Sequence, residues 1–178
     1  MSTILVQVIV GGLLLGAVYA LFSSGLTLVW GMMNIVNFAH GDFVMLGMYV
    51  AYVVYTLFGA GPLLGAPLAA LVLATLGSVV YFALIRAIMK GPMLAQILGT
   101  FGLALLLRYS VFWWFGADFL SLPENLVGGT FEVLGLRIQA SRLLAGAVAL
   151  VVTLGLHLLL TRTSLGSKML AVAEDSTA

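Results

Sequence analysis

Residues 34–52 read NIVNFAHGDFVMLGMYVAY. Two asparagines, a histidine and an aspartate fall within nine residues here, with long apolar runs on either side. If this polar cluster joins two crossings of an apolar medium, the chain before residue 58 crosses twice. If it interrupts a single crossing, the chain crosses once and every later segment changes side. The surrounding composition makes the question one about a bilayer. Of 178 residues, 63% are hydrophobic and 7% charged, and the mean hydropathy is +1.23. Soluble domains carry about 25% charged residues, so this chain cannot cover its surface with water-compatible side chains. It reads as an integral membrane protein. The net charge of +1 gives no reason to expect a nucleic-acid partner. The absence of cysteine excludes disulfides, thiolate metal sites and cysteine nucleophiles within these residues.

A helical span needs about 20 apolar residues to cross roughly 30 Å of hydrocarbon. Five stretches qualify, at 4–32, 43–58, 63–88, 93–115 and 141–160. The first lacks the basic leader of a cleavable signal and is expected to be retained. The second is short and starts at the polar cluster. The fold class expected is all-α, a polytopic transmembrane bundle, because an open sheet edge in lipid leaves backbone groups unpaired and no barrel-like alternation is present. Arg86 and Lys90 flank the link between the third and fourth spans, and Arg162 and Lys168 follow the fifth, so both places are expected to be cytoplasmic. The link at 116–140 sets Asp118, Glu124 and Glu132 against Arg137 and is expected to face outward. Counting back puts the N-terminus outside if all five stretches cross, and inside if residues 34–42 merely break one crossing.

Small residues recur every fourth position as Gly12, Gly16, Ala20 and Ser24, as Ala66, Ala70, Ala74 and Ser78, and as Ser141, Ala145, Ala149 and Thr153. Each set shares one helix face and predicts a seam of close helix packing. Such seams imply a bundle and no particular activity.

The polar cluster admits two readings. On a continuing helix Asn34, Asn37 and His40 line one side with Gly41 close by, which suits a solute path or its hinge. Alternatively, Asn37 ends the first span, Gly41 supplies a bend and Asp42 caps the second span. Arg108, within LALLLRYSVFWWF, needs either a partner or a route for its head group to the interface. Trp113 and Trp114 fit an interfacial belt. Two distant histidines, His40 and His157, make no metal site, and phosphate-loop and nucleophile-elbow motifs are absent, so neither metal, cofactor nor catalysis is expected. In the tail TRTSLGSKMLAVAEDSTA, Leu165, Met169, Val172 and Ala173 fall at helical spacing, with Lys168, Glu174 and Asp175 able to stay wet. Such a helix could rest in a partner's groove or lie on the lipid surface. Glu174 and Asp175 offset Lys168, which favours protein docking.

Two stretches together carry a resemblance. GLLLGAVYALFSSGLTLVWGMMNIVNFAHGDFVMLGMYVAY, residues 12–52, resembles the N-terminal signature of the branched-chain amino acid ABC transporter permeases, most like the smaller of the two permeases. TSLGSKMLAVAEDSTA, residues 163–178, resembles that family's cytoplasmic loop that contacts the ATPase, departing from it at Leu170, where a basic residue is common. Family members run to nearly 300 residues, so the chain looks like an N-terminal portion ending inside the coupling region. The resemblance implies a transmembrane permease domain at 1–161 and a coupling segment at 162–178. It also implies a multi-pass protein of the bacterial inner membrane working by alternating access. Partners would be a second permease, two ATPase subunits and a periplasmic or lipid-anchored solute-binding protein. Asn34, Asn37, His40, Gly41 and Asp42 become candidates for the pathway or hinge. Gly166, Lys168, Met169, Val172, Ala173 and Glu174 become candidates for ATPase coupling. The competing expectation is a passive channel for small polar solutes such as urea or amides, with the polar cluster as its constriction.

Overall fold

The computed structural model describes residues 2–123, 127–133 and 136–174. Helices dominate it, and five are long and apolar enough to span a bilayer: Thr3–Met33, His40–Phe58, Pro62–Ile88, Met93–Phe115 and Ala140–Arg162. The expected all-α class and the five spans are thus found, with ends shifted by three residues or fewer. The chain divides into two compact units, Met1–Asn34 with Val127–Ala178, and Ile35–Leu126.

In the first unit α1 (Ser2–Met33) packs along α6 (Ala140–Arg162). The two run parallel. Gln7 Nε2 donates to the Arg137 carbonyl at 3.3 Å, just before α6, and Leu14 lies on Gly146 further along both. A Cβ at Gly146 would fall 2.6 Å from Leu14 Cδ2, so admitting one would require the Leu14 side chain to turn aside, while Leu14 Cβ and Cα, at 3.4 and 3.5 Å, would be in ordinary contact. Two short strands precede α6, β1 (Thr130–Val133) and β2 (Leu136–Gln139), paired antiparallel with Thr130 opposite Gln139 and Glu132 opposite Arg137. Glu132 accepts from Arg137 Nε at 2.6 Å across the ladder. This hairpin lies within a link that hydropathy treats as featureless. After α6 the chain turns into α7 (Ser164–Glu174), which packs on α6 and α1.

The second unit holds α2 (His40–Phe58), α3 (Pro62–Val80), a π-helical turn at Tyr81–Ile85, α4 (Arg86–Ile88) and α5 (Met93–Phe115). Gly59 ends α2 with a left-handed φ of 63°, its N–H bonding to the Tyr55 carbonyl, and Pro62 starts α3 at a position that needs no donor. α2 and α3 form an antiparallel pair, with Gly65 against Ala51 and Gly47 against Leu73. α2 and α5 run parallel in a fixed register. Asp42 meets Arg108, and seven residues on along both helices the Tyr49 and Phe115 rings sit 4.6 Å apart.

The expected small-residue seams are largely displaced. A Cβ at Gly12 or Gly16 would meet nothing within 4 Å, and the close contact of α1 is made by Leu14. On α3 the buried positions are Gly65 and Ala69, while Ala66, Ala70, Ala74 and Ser78 are exposed. On α6 Ala149 is buried as expected, but Ser141 and Ala145 are exposed and Gly146 takes their place. One position along a helix rotates a residue by about 100°, so neighbouring four-residue stripes in such small-rich helices differ in face but hardly in composition.

Candidate functional site

The polar cluster is neither a continuing helix nor a bend at glycine. α1 stops at Met33, and Asn34 adopts φ 52°, the sole described non-glycine residue with positive φ. Its N–H still reaches the Trp30 carbonyl at 2.8 Å, the arrangement of a left-handed helix cap. Asparagine tolerates this conformation better than other residues with a Cβ, because its side chain can bond locally. The chain then runs non-helically to Ala39, and α2 begins at His40. Asn34, Asn37 and His40 therefore do not share a helix face. Gly41 lies in the first turn of α2, where a Cβ would meet open space, so it does not make the bend.

Asp42 does not play the capping part that the sequence assigns to it, since α2 starts after Ala39 with no side-chain cap; the turn before the helix is closed by Asn37. Asn37 Oδ1 accepts from Ala39 N–H at 3.0 Å and its carbonyl from His40 N–H at 3.3 Å, an asparagine turn feeding the helix. Asp42, third residue of α2, still carries its charge where the helix N-terminus favours it. Its carboxylate, however, faces Arg108, with Nε to Oδ1 at 3.1 Å and Nη2 to Oδ2 at 3.5 Å. That contact settles the two options for Arg108 in favour of a partner.

The segment before α2 is pinned to α5. Ile35 and Ala39 are 1% and 0% exposed, and Ala39 forms a core cluster with Leu103, Ala104 and Leu107. Thr100, fully buried, places its hydroxyl 3.0 Å from the Gln96 carbonyl and 3.2 Å from that of Val36, so α5 shares a proton with the extended backbone. Sequence reasoning misses Thr100, since a threonine in an apolar helix looks like any other small residue. Arg108 lies fifteen residues into α5, about 22 Å from its start, and seven from its end, about 10 Å. By the α2–α5 register, the first turn of α2 lies level with the interior of α5. Irregular backbone at such a level occurs where protein or a wet cavity covers it. Beyond the end of α5, the face of α2 carrying Asp42 continues through Met45, Tyr49 and Tyr52 into a cavity of about 390 Å³ that Asp118 also lines.

The second candidate region is the elbow between α6 and α7. Thr163 has extended backbone and works in both directions: its Oγ1 donates to the Leu159 carbonyl at 2.6 Å and accepts from Gly166 N–H at 3.1 Å. It thereby satisfies a carbonyl at the end of one helix and an amide at the start of the next. Gly166 is buried against the Leu159 and Leu160 carbonyls, closer than any Cβ would permit, so it is turned into the elbow. Lys168, Leu165 and Leu170 are exposed, and Met169 and Ala173 are half-buried. The side chains of Val172 and Glu174 lie outside the described residues, as do Glu124 and Asp175. His157 is on an exposed face of α6, and no group of three or more His, Cys, Asp or Glu among the described residues could hold a metal.

Five helices long enough to span a bilayer, two of them joined through a non-helical stretch anchored by buried Ile35 and Ala39 beside the Asp42–Arg108 ion pair, define a multi-pass membrane protein with the build of a transport component. Residues 8–178 match the family model described as branched-chain amino acid transport system / permease component, and the chain belongs to that family. It is 31% identical over 183 residues to the high-affinity branched-chain amino acid transport system permease protein BraD of Pseudomonas aeruginosa, covering 95% of this chain and 59% of that protein. The probable branched-chain amino acid transport permease protein LivH of Methanocaldococcus jannaschii is 28% identical over 181 residues, covering 95% and 55%. LivH of Salmonella typhimurium is 25% identical over 184 residues, covering 95% and 59%. The chain thus spans less than two thirds of the length of these relatives. No solved structure matches it. The relatives are named as permeases, a transport class and not an enzymatic one.

Proposed function

We propose that this chain forms part of the membrane-spanning permease subunit of an ATP-driven ABC importer for branched-chain amino acids. The observation that carries the reading is its identity to permease relatives across 95% of its length. The protein would reside in a bacterial inner membrane. Its partners would be a second permease, two ATPase subunits and a solute-binding protein outside the membrane. Residues 1–161 would form the transmembrane domain and 162–178 the cytoplasmic coupling segment.

Alternating access requires an element with two arrangements that differ in free energy on nucleotide binding. The Asn34–Ala39 stretch suits a hinge. It lacks an internal helical ladder, so backbone rotation there breaks few bonds, and Ile35, Ala39 and Thr100 hold it through a small set of contacts. Asn34, Asn37, His40, Gly41 and Asp42 would then shape or line the path. α7 would present Lys168, Met169, Val172, Ala173 and Glu174 to an ATPase groove, with Gly166 setting the angle at which it does so. Because α1 and α6 run parallel, the start of α1 and the paired strands share one end of their unit, so a cytoplasmic α7 at the other end would mean that α1 starts outside.

The test is reconstitution of the full-length permease with its ATPases and binding protein in liposomes. ATP-dependent uptake of labelled leucine is the expected result. Flux of urea or short amides that proceeds without ATP would move the assignment to a passive channel.

A further inference from the structure

Arg108 is a charged residue inside an apolar helix of 23 residues, and the described contacts leave part of it unused. Nε and Nη2 face Asp42, which is a side-on pairing along one edge of the guanidinium plane. Among the described residues nothing engages the other edge, formed by Nη1 and Nη2. The exposures are lopsided, 62% for the Arg108 side chain against 5% for Asp42. Asp42 is therefore a buried anchor and Arg108 an open arm. Hydrocarbon does not tolerate an uncovered ion at such depth, so the open edge faces a wet cavity or an acceptor.

The geometry of that edge narrows the acceptor. Two parallel N–H groups on a rigid plane match a carboxylate bidentately, and an anchored guanidinium loses little freedom in making the second contact. Charge narrows it further. The Asp42–Arg108 pair is neutral, so a bare anion would leave the site negative, whereas a zwitterion keeps the total at zero. We propose that Arg108 is a recognition site for the α-carboxylate of the transported amino acid, with Asp42 as its positioning residue. This rests on the importer reading above. The site lies below the Tyr49–Phe115 ring pair, on the face of α2 that leads to the cavity beyond α5. A second occupant of the same edge, a carboxylate from another part of the assembly, is the outcome the experiment separates.

The experiment uses the full-length permease with its ATPases in nanodiscs, without the solute-binding protein, whose own selectivity would mask the step. Equilibrium binding of labelled leucine is measured against leucinamide, which keeps the ammonium and side chain but lacks the carboxylate. Wild type is expected to prefer leucine. Arg108→Lys and Arg108→Gln are expected to weaken leucine binding by about 30-fold or more, the scale for removing one partner of a desolvated charge pair, and to level the two ligands. Asp42→Asn is expected to lower the leucine-to-leucinamide ratio, and Asp42→Glu to restore part of it, which a purely structural aspartate would not do. Equal binding of leucine and leucinamide by wild type overturns the proposal. So does unchanged leucine binding in the Arg108 variants, or their failure to assemble with leucine affinity intact in the assembled fraction. A wild-type complex that transports leucine yet shows no direct binding also counts against it and leaves the importer reading standing. Absence of ATP-driven leucine uptake by wild type removes both.

Discussion

Replacing Gly166 by alanine should uncouple the α6–α7 elbow more severely than any other single methyl-sized change in the tail. The added Cβ would fall inside contact distance of the Leu159 and Leu160 carbonyls and of Leu160 Cα. All three are backbone atoms, so no side-chain rotation relieves the clash, and restoring ordinary contacts near 3.5 Å requires α7 to move by about 1 Å. That shift breaks the 3.1 Å bond from Gly166 N–H to Thr163 Oγ1 and strains the 2.6 Å bond from Thr163 to Leu159. Loss of an N-cap costs about 1 kcal/mol and a second hydrogen bond about 1 kcal/mol more. A sum of about 2 kcal/mol depopulates the docked elbow roughly 30-fold. Thr163→Val should lose the same two hydroxyl contacts, about 2 kcal/mol, without the backbone clash that Gly166→Ala adds to their loss. Ser167→Ala, which removes only a 3.2 Å bond to the Thr163 carbonyl, should lose roughly a few tenths of a kcal/mol. The readout is stimulation of ATP hydrolysis by solute-loaded binding protein in the full-length complex. The expected order of damage is Gly166→Ala, then Thr163→Val, then Ser167→Ala. Wild-type coupling in Gly166→Ala, with a normal yield of assembled complex, would refute the close-packed elbow.

Asn34→Gly should leave the thermal stability of the full-length permease unchanged or slightly raised, since glycine accepts φ 52°, whereas Asn34→Val should lower it by about 1–2 kcal/mol; equal behaviour of the two would show that position 34 is not left-handed. Thr100→Val removes the hydroxyl shared with the Val36 carbonyl and should speed hydrogen exchange at residues 35–40, while Thr100→Ser should not. Thr153 Oγ1 is buried without a hydrogen-bond partner among the described residues, so Thr153→Val should raise the midpoint of thermal unfolding, and a drop would reveal a partner elsewhere in the assembly.

Each element legible in the sequence depends on neighbours within a few residues. The spans follow from uninterrupted apolar runs, because lipid selects on composition over some 20 residues. The full agreement at Met93–Phe115 reflects Pro92 before the helix and Gly116 after it, both strong local punctuation. The failures are equally local in form. Asn34, Asn37 and His40 have helical spacing, yet the helix ends at Asn34, whose own side chain favours the left-handed cap. The strand pair Thr130–Val133 and Leu136–Gln139 is held by ladder bonds and the Glu132–Arg137 pair, which hydropathy does not register.

Composition and period by themselves determined that this is a helical membrane protein with five candidate spans, and that its polar atoms gather at residues 34–42. The tertiary structure alone decided what those atoms do. Asp42 and Arg108 are 66 residues apart, as Thr100 and Val36 are 64, and no local rule links them. Which of two adjacent small-residue stripes packs, and which acid anchors which base, is set by the rotation and register of whole helices. Those are fixed by the sum of many weak contacts along two surfaces, a quantity that no short window of sequence contains.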